Sequence, residues 1–225
     1  MDLIIVSNAH DDTKRRLTQD AINSARNSDR QVKQIVIIEQ QRYIKYISAI
    51  TLNYRFEFNY NKCLNFGIEY LKNNSDDYYI ALCNNDLIFH YKWVHEIIKS
   101  MKENNCGSAS PYFKNLHSEL YPEINKDEIG YDVRKFVLGW CIVLNRDTLS
   151  KIGKICEGVK FWYSDNLYSE QIKLKKIKHV LSFKSRVDHI ESQTLFGNKK
   201  IKEYTGGQVY LYREAVRKLR KENTE

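Results

Sequence analysis

A short polar turn with one carboxylate follows an apolar stretch near the middle of the chain. Residues 78–83 (YYIALC) have the composition of a buried strand, and Asn84, Asn85 and Asp86 come directly after them. Ligands of open α/β sheets bind beyond the carboxyl ends of the strands. Mg²⁺ and Mn²⁺ prefer oxygen ligands and take only one or two protein carboxylates, with substrate phosphates completing the shell. The turn is therefore a candidate metal site, although the same residues also suit an ordinary polar turn.

Strands and helices alternate around this turn. The spacing of apolar residues predicts a strand at 3–7, a helix at 13–26, strands at 34–39 and 50–58, a helix at 60–72, a strand at 78–83, a helix at 92–102, a strand at 136–144, helices at 146–152 and 165–175, a strand at 179–183 and a helix at 208–221. This order predicts an α/β fold with a mostly parallel central sheet and flanking helices. The last helix carries Val209, Tyr212, Val216 and Leu219 on one stripe, which predicts that this face packs against the domain.

Composition limits the functional classes. The chain has 225 residues, 28% charged and 42% hydrophobic, which is typical of a soluble globular protein. No apolar run approaches the roughly 18 residues that span a bilayer, and the first residues lack the features of a signal peptide, so we expect a cytoplasmic protein without a transmembrane segment. The five cysteines form no Cys-x-x-Cys pair, and we expect them to be reduced core residues.

The net charge of +8 is concentrated at one end of the sequence. Residues 171–225 contain 14 Lys and Arg against 6 Asp and Glu, whereas residues 1–170 contain 22 of each kind. An excess of this kind suits a polyanionic partner, either nucleic acid or an anionic membrane face. It also suits a solvated surface of a lysine-rich protein, and composition alone does not separate these alternatives.

A series of motifs in a fixed order resembles GT-A-fold glycosyltransferases of the large inverting family 2 type. The likeness covers roughly residues 2–190. Its motifs are the turn Ser7-Asn8-Ala9 after the first strand, Glu39 at the end of the second, an aromatic and asparagine-rich helix start at 58–68, Asn84-Asn85-Asp86 followed by Trp93, the segment 138–142 (LGWCI), Asp165 at a helix start, and Val187-Asp188-His189. The chain departs from the family pattern at two places. Ser164-Asp165 stands where the family usually has two acidic residues, and the metal turn has only its last Asp, Asp86.

The resemblance implies a Rossmann-like GT-A fold over 1–190, with a nucleotide-sugar half (1–115), an acceptor half (116–190) and a basic C-terminal loop and helix (191–225) on the same domain. It implies a nucleotide-sugar donor, expected to be a UDP-sugar, and Mn²⁺ or Mg²⁺ as cofactor. Asp165 is the implied catalytic base, although it also suits a helix N-cap. The other implied roles are nucleotide contacts for Ser7, Asn8, Glu39, Asn61, Asn65, Asn84 and Asn85, metal ligands for Asp86 and His189, and acceptor contacts for Gly139, Trp140, Trp162 and Tyr163.

The acceptor is expected to be a hydroxyl on a polyanion. Hydroxymethylated pyrimidine in bacteriophage DNA is slightly preferred, in which case the protein works in the host cytoplasm and must take the base out of the stack. The alternative is a cell-surface glycan or lipid-linked saccharide, with the basic helix on anionic headgroups. A nucleotidyltransferase is disfavoured because residues 7–12 form neither a glycine-rich nor a basic loop. A non-catalytic nucleic-acid-binding protein would have no use for the motif series.

Overall fold

The computed structural model describes residues 1–190 and 207–223 of the chain. Those residues form nine strands in one sheet and seven helices. The strands are β1 (Asp2–Ser7), β2 (Ile35–Glu39), β3 (Ile50–Asn53), β4 (Tyr79–Asn84), β5 (Leu87–Phe89), β6 (Ser108–Tyr112), β7 (Glu128–Ile129), β8 (Cys141–Asn145) and β9 (His179–His189). The helices are α1 (Asp12–Ser28), α2 (Tyr60–Asn74), α3 (Trp93–Glu103), α4 (Lys114–Leu120), α5 (Arg146–Ile152), α6 (Ser164–Leu174) and α7 (Gln208–Glu222).

The strand order is β3-β2-β1-β4-β8-β6-β9-β5, and β7 pairs with β9. The α/β class is confirmed, whereas the predicted mostly parallel arrangement is not, because parallel and antiparallel pairings occur in the same sheet. β1, β2, β3 and β4 are parallel, whereas β8 runs antiparallel to both β4 and β6. The reason is that the chain enters β8 at the edge where β4 ends, which is seen in the hydrogen bond from the Asn84 amide to the Trp140 carbonyl (2.9 Å). The sheet is therefore mixed.

Both faces of the sheet are covered. Alternate residues of a strand point to opposite faces, so Leu3 and Ile5 pack with α1 and α3, whereas Ile4 and Val6 pack with α2. Every residue of β1 and β2 is buried. Burial on both faces explains why these strands read as continuous apolar runs in the sequence.

Most predicted elements are confirmed within a few residues, with three exceptions at strand ends. The strand predicted at 136–144 begins only at Cys141, because residues 132–137 form a tight turn closed by the Phe136 amide on the Asp132 carbonyl (2.8 Å). The strand predicted at 50–58 ends at Asn53. The last strand extends beyond the predicted Phe183 as far as His189, and this extension reaches the candidate site.

The C-terminal helix α7 packs against α6, as its apolar stripe predicted. Val216 and Leu219 are buried in a cluster with Leu167 of α6, and Tyr212 stacks on Tyr163 with ring centroids 5.3 Å apart. Val209 is the exception to the prediction, because it is 40% exposed. Within residues 1–190 and 207–223, no helix has the length and apolar character needed to cross a membrane.

Candidate active site

Strand pairing brings Asp86 and His189 together. Asp86 lies between β4 and β5, and Leu87 of β5 is the register partner of His189 in β9. The Ile190 amide donates to the Asp86 carbonyl (2.9 Å), which fixes the end of β9 beside the turn. As a result, Asp86 Oδ1 lies 3.1 Å from His189 Nε2. The two residues predicted as metal ligands are therefore neighbours in space, although they are 103 positions apart in the sequence.

The Asp86 carboxylate fits a divalent cation. Its side chain is 4% exposed, and Oδ1 has no hydrogen-bond partner, since the contact with His189 lacks hydrogen-bond geometry. A buried carboxylate oxygen without a partner is costly unless a cation compensates it. Two ligands at right angles, each about 2.1 Å from an ion, are roughly 3 Å apart, which is close to the observed separation. Among the described residues, no group of three or more His, Cys, Asp and Glu side chains could hold a metal, so the remaining ligands would be water or substrate oxygens.

Aromatic rings hold the His189 imidazole in place. Trp140 stacks on it with centroids 5.4 Å apart and an interplanar angle of 18°, and Phe113 packs edge-on against Trp140 at 5.7 Å. Trp140 is itself anchored by its carbonyl, which accepts from the Asn84 amide. The predicted acceptor residue Trp140 therefore supports the predicted metal ligand directly.

Asp165 lies in the first turn of α6, beside Gly139. The N-cap of α6 is Tyr163, so Asp165 does not have the N-cap position that was an alternative to the base. Its Oδ1 accepts from the Asn166 amide (2.9 Å). Burial raises the pKa of the Asp165 carboxyl above its ordinary value, while the Asn166 amide and, more weakly, Arg134 act in the opposite direction. A carboxylate with a raised pKa is a stronger base than a solvated one.

Gly139 leaves room for this carboxylate. A Cβ atom at position 139 would lie 2.6 Å from Asp165 Cβ and 3.1 Å from Asp165 Oδ2. No ordinary side chain fits at that distance. The predicted acceptor residue Gly139 is therefore a positioning residue for Asp165.

One cleft of about 710 Å³ contains all of these groups. Its size is in the ordinary range of small-molecule sites. Of the fourteen predicted site residues, eight line the cleft: Asn84, Asp86, Gly139, Trp140, Trp162, Tyr163, Asp165 and His189. Several other residues line the cleft without having been predicted from the sequence, among them Tyr60, Arg134 and Phe161.

Tyr60 contributes a buried hydroxyl group to the lining of the cleft. Its hydroxyl donates to Asn84 Oδ1 (2.8 Å), two residues before the predicted metal ligand Asp86. Burial raises the pKa of Tyr60 well above 10, and the charges of Asp86 and Asp165 raise it further. The hydroxyl therefore stays a neutral donor. Its position at the start of α2, inside the aromatic and asparagine-rich motif, is the sequence signal that could have identified it.

Glu39 is placed in a buried network and does not line the cleft. It is 0% exposed, and its carboxylate accepts from the Tyr46 hydroxyl (2.7 Å) and from the Ala9 and Gln41 amides (3.2 and 2.9 Å). Gln41 also donates to Asn8 Oδ1 (2.7 Å). In this position the Glu39 oxygens bind the loops after β1 and β2, and its nucleotide contact stays a prediction.

Ser7 and Asn85 belong to the same buried layer. Thr18 of α1 joins them, since its hydroxyl lies 3.1 Å from Ser7 Oγ and accepts from Asn85 Nδ2 at 2.9 Å. Ser7 is 1% and Asn85 6% exposed. These two predicted nucleotide contacts therefore hold the ends of β1 and β4 against α1 and lie outside the cleft lining.

Asn61 and Asn65 also bind backbone groups of the protein. Asn61 Nδ2 donates to the Cys156 carbonyl (2.6 Å), and Asn65 exchanges hydrogen bonds with the backbone of Ile155 (2.8 and 3.0 Å). They lie on the α2 face that packs against the loop before α6, away from the cleft. Their amides fix that loop, and their nucleotide contacts stay predictions.

Neither a protein-family model nor a curated protein matches the chain. The functional argument therefore depends on the geometry of the cleft.

Proposed function

We propose that the chain is a metal-dependent glycosyltransferase that moves a sugar from a nucleotide-sugar donor to a hydroxyl acceptor. The observation that carries this proposal is the arrangement of two acidic centres in one aromatic cleft. Asp86 and His189 form a cation-compatible pair with an unpartnered buried oxygen, and Asp165 lies in the same cleft with a raised pKa. We also propose the GT-A arrangement, in which β1, β2 and β4 carry the donor half.

The donor is proposed to bind at the Asp86 end of the cleft. Asp86 and His189 would hold Mn²⁺ or Mg²⁺, which when bound neutralises the negative charge that grows on a departing diphosphate. Asn84 lines the cleft beside Asp86, and the Tyr60 hydroxyl fixes its amide oxygen. A UDP-sugar is the expected donor. The buried layer of Ser7, Glu39 and Asn85 supports this end by fixing the strand-end loops.

Asp165 is proposed as the general base. An acceptor hydroxyl must lose a proton as it attacks the anomeric carbon, and a positioned carboxylate within hydrogen-bond reach can accept that proton. The carboxylate regenerates when the proton passes to solvent. Gly139 keeps Asp165 at the cleft wall, and the rings of Trp162 and Tyr163 beside it offer stacking surfaces for the acceptor.

The acceptor is proposed to be a hydroxymethylated base in DNA. Support comes from the excess of 14 basic over 6 acidic residues in 171–225 and from the aromatic walls of the cleft, which suit a flipped base. The second candidate, a lipid-linked or cell-surface glycan, is favoured by one observation, the exposed apolar residues Val209, Tyr210 and Leu211 at the start of α7.

Hydrolysis of nucleotide sugars tests the proposed function without knowledge of the acceptor, because water replaces it. A panel of UDP-, GDP- and TDP-sugars is incubated with the full chain, with Mn²⁺ or with a chelator, and the released nucleotide is measured. We expect slow Mn²⁺-dependent release from one donor, lost in Asp86→Ala and kept in Asp76→Ala, a variant at an exposed carboxylate in the loop between α2 and β4. Release from no donor, or release that is equal in both variants, would refute the proposal.

A further inference from the structure

The parallel packing of α6 and α7 gathers two basic clusters at one place. At the first end of the pair, Gln208 accepts from the Lys160 amide (3.2 Å) and Tyr212 stacks on Tyr163. Further along, Arg220 pairs with Glu170 (3.2 Å), and Leu174 packs in the same cluster as Leu219. Both helices therefore end at the same side of the molecule. Clusters that are some 40 residues apart in the sequence become one surface.

This surface, called the basic end, consists of six exposed cations: Lys173, Lys175 and Lys176 at the end of α6, and Arg217, Lys218 and Lys221 in α7. Among the described residues, Lys173, Lys176 and Lys218 make no ion pair with a carboxylate, whereas Arg217 pairs with Glu214. Cations near helix C-termini stabilise the helix dipole. That effect is confined to the last turn of a helix. It does not account for Arg217, which lies before the last turn of α7.

The basic end lies away from the cleft. Asp165 is in the first turn of α6, and at about 1.5 Å per residue the end of this helix lies roughly 15 Å further on. Arg134 is the one Lys or Arg among the described residues that lines the cleft. A small anionic acceptor inside the cleft therefore cannot contact the basic end. A partner that contacts both must be extended and anionic over at least this length.

The exposed surface at the basic end favours a nucleic acid over a lipid bilayer. A helix that lies in a membrane interface buries an apolar face in lipid, but the apolar face of α7 is already buried on α6 through Ala215, Val216 and Leu219. The exposed apolar residues of α7 are in its first turn, at the opposite end of the helix from Lys218 and Lys221. Charge without apolar surface suits a phosphate backbone, which is bound mainly by Lys and Arg.

We propose that the basic end binds the phosphate backbone of duplex DNA while one nucleotide of that duplex occupies the cleft. This deepens the proposed function, and only its second half rests on that function. Base pairs are 3.4 Å apart along the duplex, so a separation of roughly 15 Å corresponds to about four to five base pairs. The duplex is held on one side of the acceptor nucleotide, and the nucleotide itself leaves the stack to reach Asp165.

Binding of a labelled 24-base-pair DNA duplex, measured by fluorescence anisotropy at salt concentrations from 50 to 200 mM, tests this proposal. Two variants of the full chain with equal net charge are compared. One replaces Lys173, Lys176 and Lys218 with Gln, and the other replaces Arg30, Lys33 and Lys102 with Gln at exposed positions outside the α6–α7 pair. We expect the first to reduce the log-log salt slope by about 2.7, at about 0.9 per lost phosphate contact, and the second to leave the slope unchanged.

Equal slopes for the two variants, or wild-type binding to vesicles with anionic lipid and none to DNA, would overturn the proposal. Circular dichroism of each variant checks that both are folded. Nucleotide-sugar hydrolysis is measured on the same samples, so the two proposals fail separately. A wild type that binds DNA through the basic end but hydrolyses no donor refutes the glycosyltransferase proposal alone. One that hydrolyses a donor but does not bind DNA refutes this inference and the DNA acceptor, and leaves the glycosyltransferase proposal intact.

Discussion

Replacement of Gly139 with Ala tests whether the position of Asp165 controls turnover. The new Cβ would lie 2.6 Å from Asp165 Cβ, whereas carbon atoms in contact are about 3.5 to 4.0 Å apart. The carboxylate must therefore move by roughly 1 Å. A displacement of this size in a reacting group can reduce the rate by about 10²-fold. The extra methyl group should also destabilise the fold by about 1–3 kcal/mol, the usual cost of overpacking.

Gly67→Ala is the matched control. Its Cβ would lie 2.7 Å from Ile4 Cγ2, between α2 and β1 and outside the cleft lining. Both variants should therefore unfold at lower temperature, but only Gly139→Ala should lose donor turnover, while Mn²⁺-dependent donor affinity is kept in both. The assay is single-turnover nucleotide release on protein shown to be folded. Equal turnover in the two variants would refute the positioning role of Gly139.

Three further substitutions test other parts of the cleft. Asp165→Asn should reduce turnover by about 10²-fold or more. Because burial raises the pKa of the Asp165 carboxyl, the free energy of unfolding of the wild type should fall as the pH rises from the ordinary carboxyl range through the raised pKa. Urea titration of Asp165→Asn should lack this fall. The same pH dependence in both proteins would contradict a raised pKa at Asp165. His189→Gln should weaken Mn²⁺ binding less than Asp86→Ala does, as measured by calorimetry with UDP present, and the reverse order would contradict the ligand assignment. Tyr60→Phe removes the donor to Asn84 Oδ1 (2.8 Å) and should raise the KM for the donor with little change in stability, whereas an unchanged KM would contradict its role.

The parallel half of the fold was predictable because its physical signals are local. β1 and β2 are buried on both faces, and such strands appear as unbroken apolar runs. The helix α2 was predictable from its apolar periodicity, and its Asn59 cap bonds the Lys62 amide as an N-cap should (3.0 Å). The direction of β8 has no such signal, because strand direction depends on which edge of the sheet the chain enters.

The short elements were missed for a related reason. β5 has three residues and β7 two, which are too few to show a periodicity. β5 nevertheless matters for the site, because its pairing with β9 brings His189 to Asp86. The part of β9 after Phe183 carries polar and charged residues on one side, so its composition does not predict a strand. Hydrogen bonding to neighbouring strands, including β5, keeps this segment extended.

Among the site residues, side chains at strand and helix ends were easier to assign than amides on a helix. Asp86, Asp165 and His189 were predicted as cleft residues from motif order, and the structure brings them to one cleft. Asn61 and Asn65 also fitted the motif, but an amide on a helix surface can bond any adjacent loop, and here it bonds the segment before α6. Only tertiary structure distinguishes these two uses.

The central claim is that Asp86 serves the donor and its metal while Asp165 serves the acceptor. Thermal unfolding with Mn²⁺ and the best donor at about 100 times its dissociation constant tests this claim most directly, because a ligand at that concentration adds about 2.7 kcal/mol of stability. We predict that the wild type and Asp165→Asn are stabilised to a similar extent and that Asp86→Ala is not. Equal stabilisation of Asp86→Ala, or loss of stabilisation in Asp165→Asn alone, would contradict the account.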